Sequence, residues 1–185
     1  MLKNLKSSLI LTVILIVMFG VIYPLIIYTI GLAAPNGSVG SPIEKNGKIV
    51  GFENVGQSFT DDKYFWGRPS AVNYNAASTG GSNKGPTNPD YLREVQARID
   101  TFIIHNPGVK KEEIPSDLVT ASGSGIDPNI TPGSAYIQVK RISAVRNIPE
   151  AKIKALVDSC IENTVLGMPV VNVLKMNLKL DELKL

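Results

Sequence analysis

The sequence predicts an α+β fold, with one N-terminal transmembrane helix followed by a single soluble domain that has a small antiparallel sheet and about three helices. Three observations support this prediction. Residues 9–34 form an uncharged apolar run, strand-like segments flank Asn46-Gly47, and three later segments have apolar residues at helical spacing. The alternating residues 173–181 predict a half-buried final strand. We expect the membrane part to occupy residues 1–34 and the soluble domain residues 35–185.

The apolar run from Leu9 to Ala34 is long enough to cross a membrane. As a helix it would extend about 39 Å, and a bilayer core is about 30 Å thick. A secretory signal peptide has a shorter apolar region of about 7–15 residues, so we favour an anchor. Pro24 should kink the helix, and such a feature suits a helix that packs against other membrane helices. Candidate contact positions are Thr12, Gly20, Tyr23, Thr29 and Gly31.

The basic residues around the span predict its orientation. Lys3 and Lys6 precede the span closely, whereas residues 35–43 carry no charge. The positive-inside rule therefore predicts a cytoplasmic amino terminus and an extracytoplasmic body.

Local signals predict the elements of the body. Asn46-Gly47 indicates a hairpin, whose second strand we expect to continue towards Phe59. Asn88-Pro89, Thr131-Pro132 and Pro149 mark three helix starts. The inward faces predicted for these helices are Leu92, Val95, Ile99, Phe102 and Ile103; then Ala135, Tyr136, Val139 and Ile142; and finally Ile153, Leu156, Val157, Cys160 and Ile161.

Composition excludes several functional classes. Without Lys3 and Lys6 the chain has 17 basic and 16 acidic residues, which does not provide the basic stripe of a nucleic-acid-binding protein. The single Cys160 is interpreted as a small buried apolar residue, and the single His105 as a residue at a helix end. We predict no metal site, because neither has a Cys or His partner.

Two polar stretches, residues 73–90 and 117–134, contain few charges for surface loops. Ordering such loops costs backbone entropy, so they are either disordered or held in one shape. Turns and caps made by their own Ser, Thr, Asn and Asp residues are the favoured explanation. The alternative is a membrane-anchored extracytoplasmic serine hydrolase-like enzyme. It would use Ser122 or Ser124 near Asp117 or Asp127, but a serine nucleophile needs an adjacent base.

Several motifs together resemble one family. They are "GQSF" (56–59), "YFWGRPSAVNYNAASTGGSNKGPTNP" (64–89), "DLVTASGSGIDPNITPGSA" (117–135), "QVKRISAVR" (138–146) and "VNVLKMNL" (171–178). With the N-terminal span, they resemble the C subunit of the Kdp potassium-transporting ATPase, the KdpC family, over essentially the whole chain. Lys84 and Lys140 are minor departures from the family pattern.

The resemblance implies an accessory subunit in a bacterial plasma-membrane complex for high-affinity, ATP-driven potassium uptake. Its expected partners are a channel-like potassium-binding subunit, a P-type ATPase subunit and a small single-span subunit. It would have no independent catalytic site and no tightly bound cofactor. The family is described as needed for assembly and as a catalytic chaperone that raises the ATP affinity of the pump subunit.

The resemblance also implies two sets of site residues. ATP contact, if direct, would involve Gln138 and the signature-like segment with Ser78, Gly80, Gly81 and Ser82. That role conflicts with an extracytoplasmic body, which agrees instead with a domain that caps the potassium-binding subunit. The loop residues expected at this partner surface, near the potassium entrance, are Asn73, Asn75, Asn83, Asn88, Asp117, Ser122, Ser124 and Asp127.

Overall fold

The computed structural model describes residues 2–34, 36–37, 39–164 and 167–183. The chain up to Pro42 forms one compact unit, and the chain from Ile43 onward forms a second. The boundary expected between residues 34 and 35 stays a prediction, because Pro35 lies outside the described residues.

The first unit contains one long apolar helix. It consists of α1 (Leu2–Val17), a π-helical turn (Met18–Ile22) and α2 (Tyr23–Ala33). The segment Lys3–Ala33 has 31 residues and a mean hydropathy of 2.9, so it is long and apolar enough to cross a membrane.

The π-helical turn accommodates Pro24. Proline has no N–H, so the carbonyl of Gly20, four residues earlier, lacks its usual α-helical donor. Here the Tyr23 N–H donates to the carbonyl of Met18, five residues earlier, in the wider hydrogen-bond pattern of a π turn. The helix is therefore widened just before the proline, and the kink predicted at Pro24 stays a prediction.

The body begins with the predicted hairpin of β1 (Pro42–Lys45) and β2 (Lys48–Phe52). Asn46 and Gly47 have φ values of 54° and 72°, as a two-residue type I′ turn requires. The predicted extension of β2 towards Phe59 is wrong. The strand ends at Phe52, and the Gly56 N–H donates to the Ile126 carbonyl, 2.7 Å away in a distant loop.

The next helix, α3 (Pro89–His105), begins as predicted, because the Asn88 side chain accepts hydrogen bonds from the first-turn N–H groups of Asp90 and Tyr91. Phe102 is buried, but Leu92 is 52% exposed, so its predicted inward position is wrong. Leu92 lies in the first turn of α3, and the packed face of the helix starts only at Val95.

The segment after Thr131 forms two helices where one was predicted. They are α4 (Pro132–Tyr136), capped by the Thr131 hydroxyl, and α5 (Val139–Arg146). Tyr136 is 37% exposed and its hydroxyl contacts the Asp158 carboxylate. Its predicted place on the inward face is therefore wrong. The third predicted helix is present as α6 (Glu150–Ser159).

The last predicted strand is instead a helix, α7 (Val173–Glu182). The Asn172 side chain accepts a hydrogen bond from the Lys175 N–H and so caps the first turn. Val173, Met176 and Leu180 are buried at helical spacing. The alternation of apolar and polar residues that predicted a strand is also compatible with this helical face.

The α+β class is confirmed. A three-stranded antiparallel sheet of β3 (Asn129–Ile130), β5 (Val170–Asn172) and β4 (Ile161–Glu162), in that order, packs with the helices. Cys160 is buried in the core, as predicted. The completely buried apolar side chains of the core are Phe65, Ala135, Ile142, Ile153, Val157, Val171, Met176 and Leu180.

Candidate functional site

The two polar stretches are bonded to each other through their backbones. We define the first loop as residues 67–88 and the second loop as residues 117–131. The Gly80 N–H donates to the Ser124 carbonyl at 2.9 Å, and the Ser122 N–H donates to the Pro69 carbonyl at 3.2 Å. Each loop thus satisfies backbone groups of the other, which holds both in one shape.

Gly125 lies at the closest approach of the two loops. Its φ is 71°, a left-handed value that favours glycine. A Cβ at this position would lie 2.5 Å from Val72 Cγ2 and 2.7 Å from the Gly80 carbonyl oxygen. At Gly81 a Cβ would lie 3.3 Å from the Gly123 carbonyl oxygen. The loops fit together because these positions lack side chains.

The first loop also has an internal framework around Ser70. The Ser70 hydroxyl accepts hydrogen bonds from the N–H groups of Val72 and Tyr74, and the Tyr74 hydroxyl donates to the Arg68 carbonyl at 2.6 Å. Asn73 and Tyr74 have positive φ values of 52° and 56°, which are unusual for a bulky residue such as tyrosine. Burial raises the pKa of the Tyr74 hydroxyl.

The two loops contain four charged residues, and each one is bonded within the chain. Arg68 pairs with Asp127 at 3.0 Å, and Lys84 pairs with Glu94 of α3. Asp117 accepts hydrogen bonds from the Thr131 N–H and the Ser134 hydroxyl. Arg68, Asp117 and Asp127 are half-buried and act inside the structure, whereas Lys84 is exposed and its charge is paired at the surface.

Apart from Lys84, which is exposed and paired with Glu94, the exposed side chains of the first loop are neutral. Asn73, Asn75, Ser78 and Asn83 are exposed. Asn88, expected with them, uses its side chain to cap α3. The exposed face of the first loop, which includes these four residues, is called the neutral face below.

Two buried amides hold the aromatic segment (Tyr64–Trp66) that leads into the first loop. Asn177 of α7 accepts from the Phe65 N–H at 2.9 Å and donates to the Phe65 carbonyl at 3.0 Å. Gln138 does the same for Trp66, at 2.8 and 3.2 Å. These side chains thus satisfy backbone groups of a segment that belongs to no sheet in the described structure.

Arg141 completes this buried network. Its guanidinium donates to the Asn106 side chain, to the carbonyls of Asp62 and Tyr64, and to Gln138 Oε1. It also lies 4.7 Å from the centroid of the Trp66 ring, a cation–π distance. Burial lowers the pKa of Arg141 to about 10, and the Asp62 carboxylate opposes this shift. His105, at the end of α3 as predicted, contacts Asp62 at 2.8 Å.

The residues implied for ATP contact occupy different environments. Ser78 is exposed, whereas Gln138 is 0% exposed and also donates to the Ser134 carbonyl. The Gly80 N–H is used by the second loop, and Gly81 and Ser82 are half-buried. In this conformation Gln138 offers no surface to a ligand, so direct ATP contact stays a prediction that requires a different conformation.

The arrangement gives no support to the serine hydrolase alternative. Ser122 is buried, and the Ser124 hydroxyl accepts a hydrogen bond from the Ile126 N–H. In the described ranges, no hydrogen bond joins either hydroxyl to a histidine, a lysine or a carboxylate. Nor do the described residues include a cluster of acidic, His or Cys side chains that could hold a metal ion.

The sequence interpretation missed the residues that position the loops. Arg141, Asn177, Ser70 and Arg68 were not assigned structural roles. One signal was available for Asn177, because it shares a helical face with Val173 and Leu180. A polar residue on a buried face needs a partner.

These features define the class of protein. The chain combines an apolar helix that can span a membrane with a domain whose locked loops present a neutral surface. These features are those of a protein with one candidate membrane-spanning helix and a folded α+β body.

Comparison with known proteins identifies the family. The family described as "K+-transporting ATPase, c chain" matches residues 5–182. A "Potassium-transporting ATPase KdpC subunit" from Flavobacterium johnsoniae is 57% identical over 182 residues, which cover 98% of this chain and 100% of the relative. Proteins with the same description from Bacteroides fragilis (48% over 188 residues, 98% of each chain) and Methylococcus capsulatus (42% over 191 residues, 100% of each chain) are also similar. The chain belongs to the KdpC family.

Proposed function

We propose that this chain is the accessory subunit of an ATP-driven potassium uptake complex, in which it stabilises the assembly and docks its neutral face on the potassium-binding subunit. The observation that carries the proposal is that all four charges of the two loops are bonded within the chain, and that apart from the paired Lys84 the exposed side chains of the first loop are neutral. The partners would be the channel-like subunit, the P-type ATPase subunit and the small single-span subunit.

A neutral face suits a surface close to a potassium entrance. Amide and hydroxyl dipoles can order water and K⁺, and a conducting site must bind the ion weakly enough to release it. Exposed carboxylates would attract K⁺ more strongly and retain it. The internal bonding of Asp117 and Asp127 keeps these carboxylates in structural roles.

The orientation of the chain determines how it could affect ATP. Lys3 and Lys6 on one side of the span and the uncharged residues 35–43 on the other favour a body outside the cytoplasm. With that topology, any increase in the ATP affinity of the pump subunit would be indirect. It would pass through the membrane helix and the partner subunits as coupling between distinct sites.

The test begins with purification of the complex in detergent. A tagged chain should recover the potassium-binding and ATPase subunits together, with K⁺-stimulated ATPase activity. Recovery of the chain alone from cells that contain the other subunits would contradict the proposal.

Charge variants then test the neutral face. Asn75→Asp and Asn83→Asp should lower K⁺ uptake at low K⁺ concentration, because each adds a carboxylate to an exposed position of the face. Asn163→Asp, which also adds a carboxylate at an exposed position but outside the loops, is the matched control. Equal uptake by all three variants would contradict a role for the neutral face.

A further inference from the structure

A second surface feature shares no residue with the neutral face. A cavity of about 240 Å³ is lined by the turn after α3 and by one face of the α4–α5 segment. The positions that α4–α5 contributes are spaced three and four residues apart, as expected for a single helical face. The lining includes Pro107, Val109, Ile137, Lys140, Arg141 and Ala144.

The charges at this cavity are all positive. Its lining includes two cationic side chains, and none of its described residues is acidic. Arg141 is already bonded to Asn106, Gln138 and the aromatic segment. Lys140 is exposed, and its ammonium lies beside Gly108: a Cβ built on Gly108 would be 3.4 Å from Lys140 Nζ. The ammonium therefore lies at the rim of the cavity.

Some lysines of the body are paired with carboxylates of the described residues, whereas Lys140 and others, such as Lys48 and Lys152, are not; Lys140 differs from these two in lining the cavity. Lys84 pairs with Glu94, and Lys175 pairs with Glu53 and Glu162. In the part of the chain that the structure describes, no carboxylate lies within 4.0 Å of the Lys140 ammonium. A carboxylate partner for it is therefore missing from the described chain.

We propose that this cavity receives an apolar side chain of another subunit, and that an adjacent carboxylate of that subunit pairs with Lys140. A cavity of about 240 Å³ is smaller than the roughly 300–1,000 Å³ typical of small-molecule and cofactor sites. It suits one side chain, because interface hot spots are side chains buried in pockets near the centre of an interface that has a polar rim. This inference rests on the proposed function, because the partner is another subunit of the proposed complex.

A bound protein explains the charge better than a free small carboxylate does. An exposed ion pair contributes only about 0–1 kcal/mol, which would not retain a free carboxylate. A partner subunit adds the contacts that surround the cavity and can keep the pair in place.

Carbodiimide coupling in the purified complex tests this contact directly, because it joins an amine to a carboxylate without a spacer. Mass spectrometry should find Lys140 coupled to an Asp or Glu of another subunit. The Lys175–Glu53 pair provides an internal positive control. The Lys140→Arg variant keeps the charge but has no amine to couple, so the cross-link should disappear from it. Lys140 that remains uncoupled, or couples only within its own chain, while Lys175 couples to Glu53 would overturn the proposal.

A cavity-filling variant provides the second readout. Ala144→Trp should lower the yield of the Lys140 cross-link about tenfold, the effect of losing one anchor contact. The control is Ala151→Trp, at an exposed position of α6 outside the cavity. Equal yields would overturn the proposal, and so would a phospholipid that is retained by the unmodified complex and lost from Ala144→Trp. Failure to recover any partner subunit would instead refute the proposed function itself.

Discussion

Substitution of Gly125 by alanine should disrupt the contacts between the two loops and lower the stability of the protein. The backbone at this position has a φ of 71°, and left-handed backbone costs an alanine roughly 1–2 kcal/mol. The new Cβ would also lie 2.5 Å from Val72 Cγ2 and 2.7 Å from the Gly80 carbonyl oxygen. Both distances are shorter than normal contacts, so the loops must separate.

The two effects give the expected magnitude. Overpacking typically costs about 1–3 kcal/mol, so we expect the free energy of unfolding to fall by about 2–5 kcal/mol in total. For a protein of this size, that decrease corresponds to a melting temperature about 4–20 °C lower. The neutral face should lose its shape as well, so K⁺ uptake by the complex should fall.

Thermal unfolding of the detergent-solubilised chain measures this effect. Trp66 is the only tryptophan, and it lies in the segment that leads into the first loop, so its fluorescence reports the unfolding of that region. Gly123→Ala is the matched control. Gly123 belongs to the same loop, has no positive φ, and a Cβ there would meet no atom within 4 Å. This control should change stability by less than about 0.5 kcal/mol. If Gly125→Ala melts at the same temperature as Gly123→Ala, the loops are not locked as described.

Three further predictions concern the buried amides, the anchor and the topology. Gln138→Met keeps a side chain of similar length but leaves the Trp66 backbone groups unpaired, so it should destabilise the chain by about 2–5 kcal/mol. Unchanged thermal unfolding, together with weaker ATP affinity of the complex, would favour nucleotide contact by Gln138 instead. Exchange of residues 9–34 for an unrelated single-span anchor should leave the chain in the membrane but reduce recovery of the other subunits and K⁺ uptake, because Pro24 and its π turn give this helix a particular shape for packing. Normal assembly with the foreign anchor would argue against this. In a Cys160→Ser background, Lys48→Cys in exposed β2 should react with a membrane-impermeant thiol reagent in intact cells. Labelling that requires permeabilised cells would mean that the body is cytoplasmic.

Turns and helix starts could be predicted from the sequence because neighbouring residues determine them. Asn46-Gly47 forms its turn, and Asn88 and Thr131 cap the helices that follow them. Each of these residues bonds or bends the chain within a few positions of itself.

The final helix shows where periodicity is insufficient. Leu174, Met176 and Leu180 fit strand alternation, but Met176 and Leu180 also fit a helical face that begins at Val173. In a segment this short, the apolar pattern does not separate the two structures. The Asn172 cap and the packing of α7 against the core stabilise the helical conformation of this segment.

The candidate site could be predicted only in part. The polar character of the loops was visible in the sequence, but their mutual bonding depends on long-range contacts. Gln138 bonds a segment 72 residues away, and Asn177 bonds one 112 residues away. A single sequence does not reveal which distant backbone groups will meet these amides. For the same reason, Gln138 could be interpreted from the motif as a ligand-binding residue.

The π-helical turn before Pro24 changes how the faces of the membrane helix should be drawn. A π turn contains about one more residue than an α turn, and each residue of an α-helix rotates the side-chain direction by about 100°. A stripe that starts at Thr12 on α1 is therefore displaced by roughly a quarter of a turn when it reaches Thr29 on α2, relative to an uninterrupted helix. Residues that a regular helical wheel assigns to one side point in two directions. The single span can thus face one neighbouring helix with its first half and a different one with its second.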